Sequence, residues 1–148
     1  MIRVFLWEAR DYYNFGHISM SLSDGTYISF WPEEEVVLIE KKKSQEALPH
    51  IYAEDVEVEG RPSDQVLTLP DDIVNAEKIK SWWNSYKYAN QWNLFGNNCA
   101  FVIREAFLVG GIFLTDEARA KSKKGCMYTP RKVFDWIKVC KKVYEKHK

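Results

Sequence analysis

The apolar residues of this 148-residue chain change period near its middle, from alternation to a helical repeat. That switch points to strands in the first half and helices in the second. Residues 2–7, 16–22 and 26–31 alternate as strands, the last two joined at Ser23-Asp24-Gly25. Residues 36–40 and 65–69 are further strand candidates, and the charged, proline-bearing stretch 41–62 has no readable period. After Leu69-Pro70 a helix is predicted with Asp71 or Asp72 as N-cap and Ile73, Ile79, Trp82, Trp83 and Tyr86 along its apolar face. A second helix is expected to start at Asn97 or Asn98 and stop at Gly110-Gly111. A third follows Thr129-Pro130, with Val133, Phe134, Ile137, Cys140 and Tyr144 on one side. With 46% apolar and 15% aromatic content and no repeats or low-complexity linkers, residues 1–148 read as one α+β domain, an antiparallel sheet packed against helices.

The register of the first hairpin follows from its loop. A three-residue turn with Gly25 in the left-handed position pairs Leu22 with Thr26, Met20 with Ile28 and Ile18 with Phe30, which gathers the aliphatic side chains on one face. The other face then carries Ser19 opposite Ser29 and His17 opposite Trp31, with Ser29 a diagonal neighbour of His17. A two-residue loop at Asp24-Gly25 mixes the faces and is disfavoured.

Within this frame the chemistry centres on Cys99, in Gly96-Asn97-Asn98-Cys99-Ala100-Phe101-Val102-Ile103-Arg104, where a polar turn becomes an apolar helix. A thiol at a helix start meets the partial positive charge of the helix N-terminus, which favours the thiolate. The matching base is His17, in Gly16-His17-Ile18-Ser19-Met20-Ser21-Leu22, which faces away from the aliphatic core. A thiol hydrolase also needs backbone N–H donors for the oxyanion, which the Cys99 amide and a neighbour supply, and a polar group that orients the imidazole. Ser29 stands in the place for that group. Trp31, beside His17, and Asn98, beside Cys99, are the substrate-contact candidates, although an N-cap explains Asn98 equally well and the end of an edge strand explains Trp31.

Composition narrows the partners. Lysine plus arginine and aspartate plus glutamate both count 21, so no net field attracts nucleic acid or an anionic membrane. The three cysteines, Cys99, Cys126 and Cys140, have neither metal-ligand nor disulfide-scaffold spacing, and no glycine-rich phosphate loop is present. No metal and no cofactor are therefore expected. The start of the chain is too short in apolar residues for a signal peptide and no run approaches membrane-spanning length, so the expected setting is a reducing, cytoplasmic one; export without a signal would leave the same sequence. His50 and His147 read as solvated side chains, Cys126 and Cys140 as ordinary thiols, and the basic stretch Lys121-Ser122-Lys123-Lys124-Gly125 with the lysines of the last helix as a solvated face.

The order of a histidine strand, a strand with a polar residue and a cysteine at a helix start resembles the circularly permuted papain-like fold of the NlpC-type peptidase superfamily, which includes the lecithin:retinol acyltransferase-like enzymes. The matching residues are Gly16 to Leu22, then Gly25-Thr26-Tyr27-Ile28-Ser29-Phe30-Trp31-Pro32, then Asn97-Asn98-Cys99-Ala100. The resemblance implies Cys99 as nucleophile, His17 as general base and Ser29 at the family's third polar position. Histidine, asparagine, glutamine or an acid is usual there. Serine departs from that pattern, so the expectation is either that water or a residue such as Asn14 or one of Glu33, Glu34 and Glu35 supplies the orienting bond, or that the enzyme is weak. The expected activity is cleavage of an amide bond in a peptide or similar substrate. Acyl transfer or lipid ester hydrolysis through the same thioester is the alternative, and a catalytically inert binding module of the same fold is the alternative from another class.

Overall fold

The computed structural model describes residues 1–9, 16–32, 45–49, 51–87, 91–92, 98–112 and 129–147, and the fold they build is α+β. Strands β1 (Ile2–Trp7), β2 (His17–Ser21), β3 (Tyr27–Ile28) and β6 (Gln65–Leu69) form an antiparallel sheet in the order β3-β2-β1-β6. A second, three-stranded sheet joins β4 (Phe30–Pro32), β5 (Gln45–Pro49) and β7 (Gln91–Trp92). The helices are α1 (Tyr52–Glu59), α2 (Ala76–Tyr86), α3 (Cys99–Val109) and α4 (Pro130–Lys146), with a 3₁₀ turn at Asp71–Ile73.

Alternation gives the four-stranded sheet two chemically different faces. Ile2, Val4 and Leu6 of β1 share one face with Ile18 and Met20 of β2 and Ile28 of β3, and all six are fully buried in the main core. Against them lie Ala100, Val102, Ile103, Ala106 and Phe107 of α3 and Val133, Phe134, Ile137 and Cys140 of α4. The opposite face carries Phe5 and Trp7 with their cross-strand partners Ser19 and His17, and α1 lies over it through Tyr52, whose ring centroid is 4.7 Å from Phe5 and 5.7 Å from Trp7.

The hairpin adopts the expected register: Met20 pairs with Ile28, the Leu22 N–H donates to the Thr26 carbonyl at 2.8 Å, and Gly25 has φ 94°. The expected strand 26–31 is not continuous, however. It breaks at Ser29, after which Phe30 pairs with Pro49 in the second sheet instead of Ile18, and Trp31 pairs with Leu48 instead of His17, because the chain changes sheets there. The helix after Pro70 also starts later than its sequence suggests. Asp71 and Asp72 belong to the 3₁₀ turn, and the N-cap of α2 is Asn75, whose side chain accepts from the Lys78 N–H at 3.1 Å. The other two helices begin as expected, α3 behind Asn98 and α4 with Thr129 as cap and Pro130 at the first helical position. The stretch 41–62 contains β5 and α1. The strand expected at 36–40 lies outside the described residues, as do Asn14, Glu33, Glu34, Glu35, His50, Cys126 and residues 121–125.

Candidate active site

Five polar side chains are buried among the described residues: His17, Ser19, Ser29, Asp55 and Asn98. Buried polar groups are costly unless hydrogen-bonded, so their gathering around His17 and at the neighbouring start of α3 marks the place where the fold departs from simple apolar packing.

His17 is the first residue of β2 and pairs with Trp7. It is set there by Gly16, which has φ 85° and where a Cβ would stand 2.7 Å from the Trp7 carbonyl oxygen, so only glycine lets the chain turn into β2 this close to β1. The Trp7 ring lies 5.5 Å from the imidazole, and its indole N–H donates to the Arg61 carbonyl at 2.8 Å. Arg61 in turn grips Asp64 and the Glu8 carbonyl, which fastens the turn after α1 to the end of β1.

Asp55, on α1, is the residue the sequence reading missed. Its Oδ2 is 3.1 Å from His17 Nε2 and accepts from the Ser29 hydroxyl at 2.7 Å and the Tyr27 phenol at 2.6 Å. Ser29 Oγ is itself 2.9 Å from His17 Nε2. Ser29 therefore stands beside His17 as its sequence position suggests, yet it accompanies a carboxylate instead of replacing one. Helix α1 carries Asp55 inward because Glu54 closes a capping bond to the Ile51 N–H at 3.0 Å and Gly60, at φ 75°, ends the helix in the left-handed conformation.

Burial by itself lowers the basicity of His17, but the Asp55 charge and its hydrogen bond outweigh that, with a further contribution from Cys99, and the net result is an imidazole well above its ordinary range. Cys99 therefore lies close enough to His17 to act on its proton affinity. Nε2 faces Asp55 and Ser29, and in the imidazolium both ring nitrogens donate.

Cys99 is buried at the first position of α3. Asn98 caps that helix, its Oδ1 accepting from the Phe101 N–H at 2.8 Å while its carbonyl accepts from Val102 at 3.1 Å. The cap uses those two donors and leaves the Cys99 and Ala100 amides as the first-turn groups directed at whatever lies beyond the helix end. Cys140 makes the contrast: buried on the apolar side of α4, its thiol is pushed up to about 12 by desolvation. The backbone of Trp31 lies in β4, and its side chain is outside what the structure describes.

Among the described residues no group of three or more His, Cys, Asp or Glu side chains is arranged to hold a metal ion, and no helix is long and apolar enough to cross a membrane. The arrangement offers a nucleophilic sulfur, a strongly basic imidazole with a carboxylate behind it, and helix-end amides beside the sulfur. Set against known proteins, the chain matches no family model, no curated protein and no solved structure.

Proposed function

We propose that this protein is a thiol hydrolase of permuted papain-like fold that opens an amide bond through an acyl-enzyme on Cys99. Cys99 is the nucleophile, His17 the general base and then acid, and Asp55 the group that orients His17. The observation that carries this reading is the buried His17 held at 3.1 Å by the Asp55 carboxylate, with the Cys99 thiol near enough to act on it and set at a helix N-terminus.

The Cys99 proton rests on His17, beside Asp55, before substrate arrives, and in the first step the sulfur forms a bond to the carbonyl carbon of the substrate as the carbonyl π electrons move onto oxygen. The Cys99 and Ala100 amides hold the negative oxygen that results. His17, now imidazolium and paired with Asp55, gives its proton to the leaving nitrogen as the C–N bond breaks. Water then attacks the thioester, losing a proton to His17, and the acid leaves as the C–S bond breaks and the sulfur regains a proton. An amine leaves only once protonated, so a base that readily holds a proton suits an amide better than an ester. Asp55 supports the catalytic reading over the inert module, since it gives His17 a carboxylate partner beside the serine at position 29.

The test is the rate of iodoacetamide alkylation at each cysteine against pH, read by peptide mass spectrometry in the wild type and His17→Ala. Cys99 is expected to outpace Cys140 throughout and to lose that reactivity without His17. An inert Cys99, or one that reacts the same with and without His17, rejects the hydrolase and leaves a binding module. If the reactivity is present, a panel of amide and ester substrates then separates hydrolysis of amides from acyl transfer or lipid ester cleavage.

A further inference from the structure

Asp55 does not rest on His17 and Ser29 alone. A third donor, the Tyr27 phenol, reaches the same Oδ2 at 2.6 Å, and behind it Ser19 Oγ is 2.5 Å from the phenol oxygen. An ionised carboxylate only accepts, so Tyr27 donates to Asp55, and Ser19 in turn donates to Tyr27. The hydroxyl dipoles then all point toward the carboxylate, an arrangement in which each bond strengthens the next.

Strand geometry explains how one carboxylate collects these donors. Tyr27 and Ser29 are two residues apart, so both project to the face that carries Ser19 and His17, and Asp55 descends on them from α1. Packing of the ring accounts for its aromatic part, since Phe5 lies 6.1 Å away and Tyr52 meets it edge-on at 6.1 Å. A phenylalanine satisfies that packing. The hydroxyl, placed between two polar partners in a largely buried site, is what the packing leaves unexplained.

We propose that Tyr27 is a positioning residue for the chemistry at Cys99: its phenol, backed by the Ser19 hydroxyl, fixes the Asp55 carboxylate against His17. This rests on the reading of Cys99, His17 and Asp55 given above. Burial and the Asp55 charge raise Tyr27 far above the ordinary phenol range, so it keeps its proton and remains a donor at any working pH. Titratable groups facing the carboxylate include His17 from β2 and Tyr27 from β3, with Cys99 of α3 acting on the imidazole and Tyr52 of α1 on the phenol.

The test compares wild type, Tyr27→Phe and a protein with 3-fluorotyrosine at position 27. Two readouts are followed against pH: alkylation of Cys99 by iodoacetamide, and the ¹⁵N and ring-proton signals of His17. Loss of the phenol makes the carboxylate easier to protonate, so Tyr27→Phe moves the acid limb of Cys99 alkylation up by about one pH unit, a tenfold change in proton concentration. The fluorinated ring is nearly isosteric and a stronger donor, so it keeps the fold and moves the limb the other way. A purely structural tyrosine lowers stability and moves neither limb nor imidazole signal; unmoved profiles in both proteins overturn the proposal. Failure of the parent reading has a separate signature, a wild-type Cys99 that is slow or indifferent to His17→Ala, and that outcome removes both.

Discussion

Asp55 shows what one buried charge does at the scale of a residue. Three donors converge on its Oδ2, and the aromatic rings of Trp7 and Tyr52 flank the β1 end where His17 pairs, so the pair interacts in a medium far less polarisable than water. Asp55→Asn keeps the shape and an acceptor for the two hydroxyls but loses the charge that opposes the desolvation of His17. The variant is expected to fold and to lose about 10²–10⁴ in Cys99 reactivity at neutral pH, by the same logic that makes an orienting aspartate indispensable to a histidine base. Retention of wild-type alkylation kinetics by Asp55→Asn is the result that assigns Asp55 a structural role only.

At the scale of elements, the start of α3 separates two roles that the sequence left joined in Asn98. The Oδ1 bond to the Phe101 N–H makes it an N-cap, and Asn98→Ala is expected to cost about 1 kcal/mol in urea unfolding. Asn98→Ser keeps a capping oxygen. It is expected to hold near-wild-type stability and Cys99 reactivity; normal stability with impaired turnover of a substrate is the outcome that returns Asn98 to the substrate side. Helix α1 is the element that the sequence concealed. An amphipathic helix announces itself by an apolar stripe, but Tyr52–Glu59 buries a carboxylate instead, with Tyr52 and Val56 only partly covered, so no 3.6-residue period is there to read. Its end signals, Glu54 three residues after the cap and Gly60 at the stop, were the legible trace.

At the scale of the whole molecule, the buried pair ties stability to pH. The folded state raises His17 from about 6.5, its value in an unfolded chain, to about 10. A group raised in this way contributes stability that is fully present below the unfolded value and is lost as pH rises through the folded one. Unfolding free energies of wild type and His17→Gln from urea titrations are expected to differ most near pH 6, by on the order of a few kcal/mol, and to converge toward pH 10. A gap that stays constant over that range rejects the linkage. The sequence by itself determined the α+β class, the hairpin register and the starts of α3 and α4, because each is set by contacts within a few residues: alternation, a left-handed glycine, a capping side chain. It also put His17 and Ser29 on one face of the hairpin for the same local reason. Only the tertiary structure decided that the chain changes sheets at Ser29, that Asn75 and not Asp71 or Asp72 caps α2, and that Asp55 lies under His17. Those outcomes depend on which distant segments pack together, and a carboxylate 38 residues from its imidazole partner leaves no local pattern by which to find it.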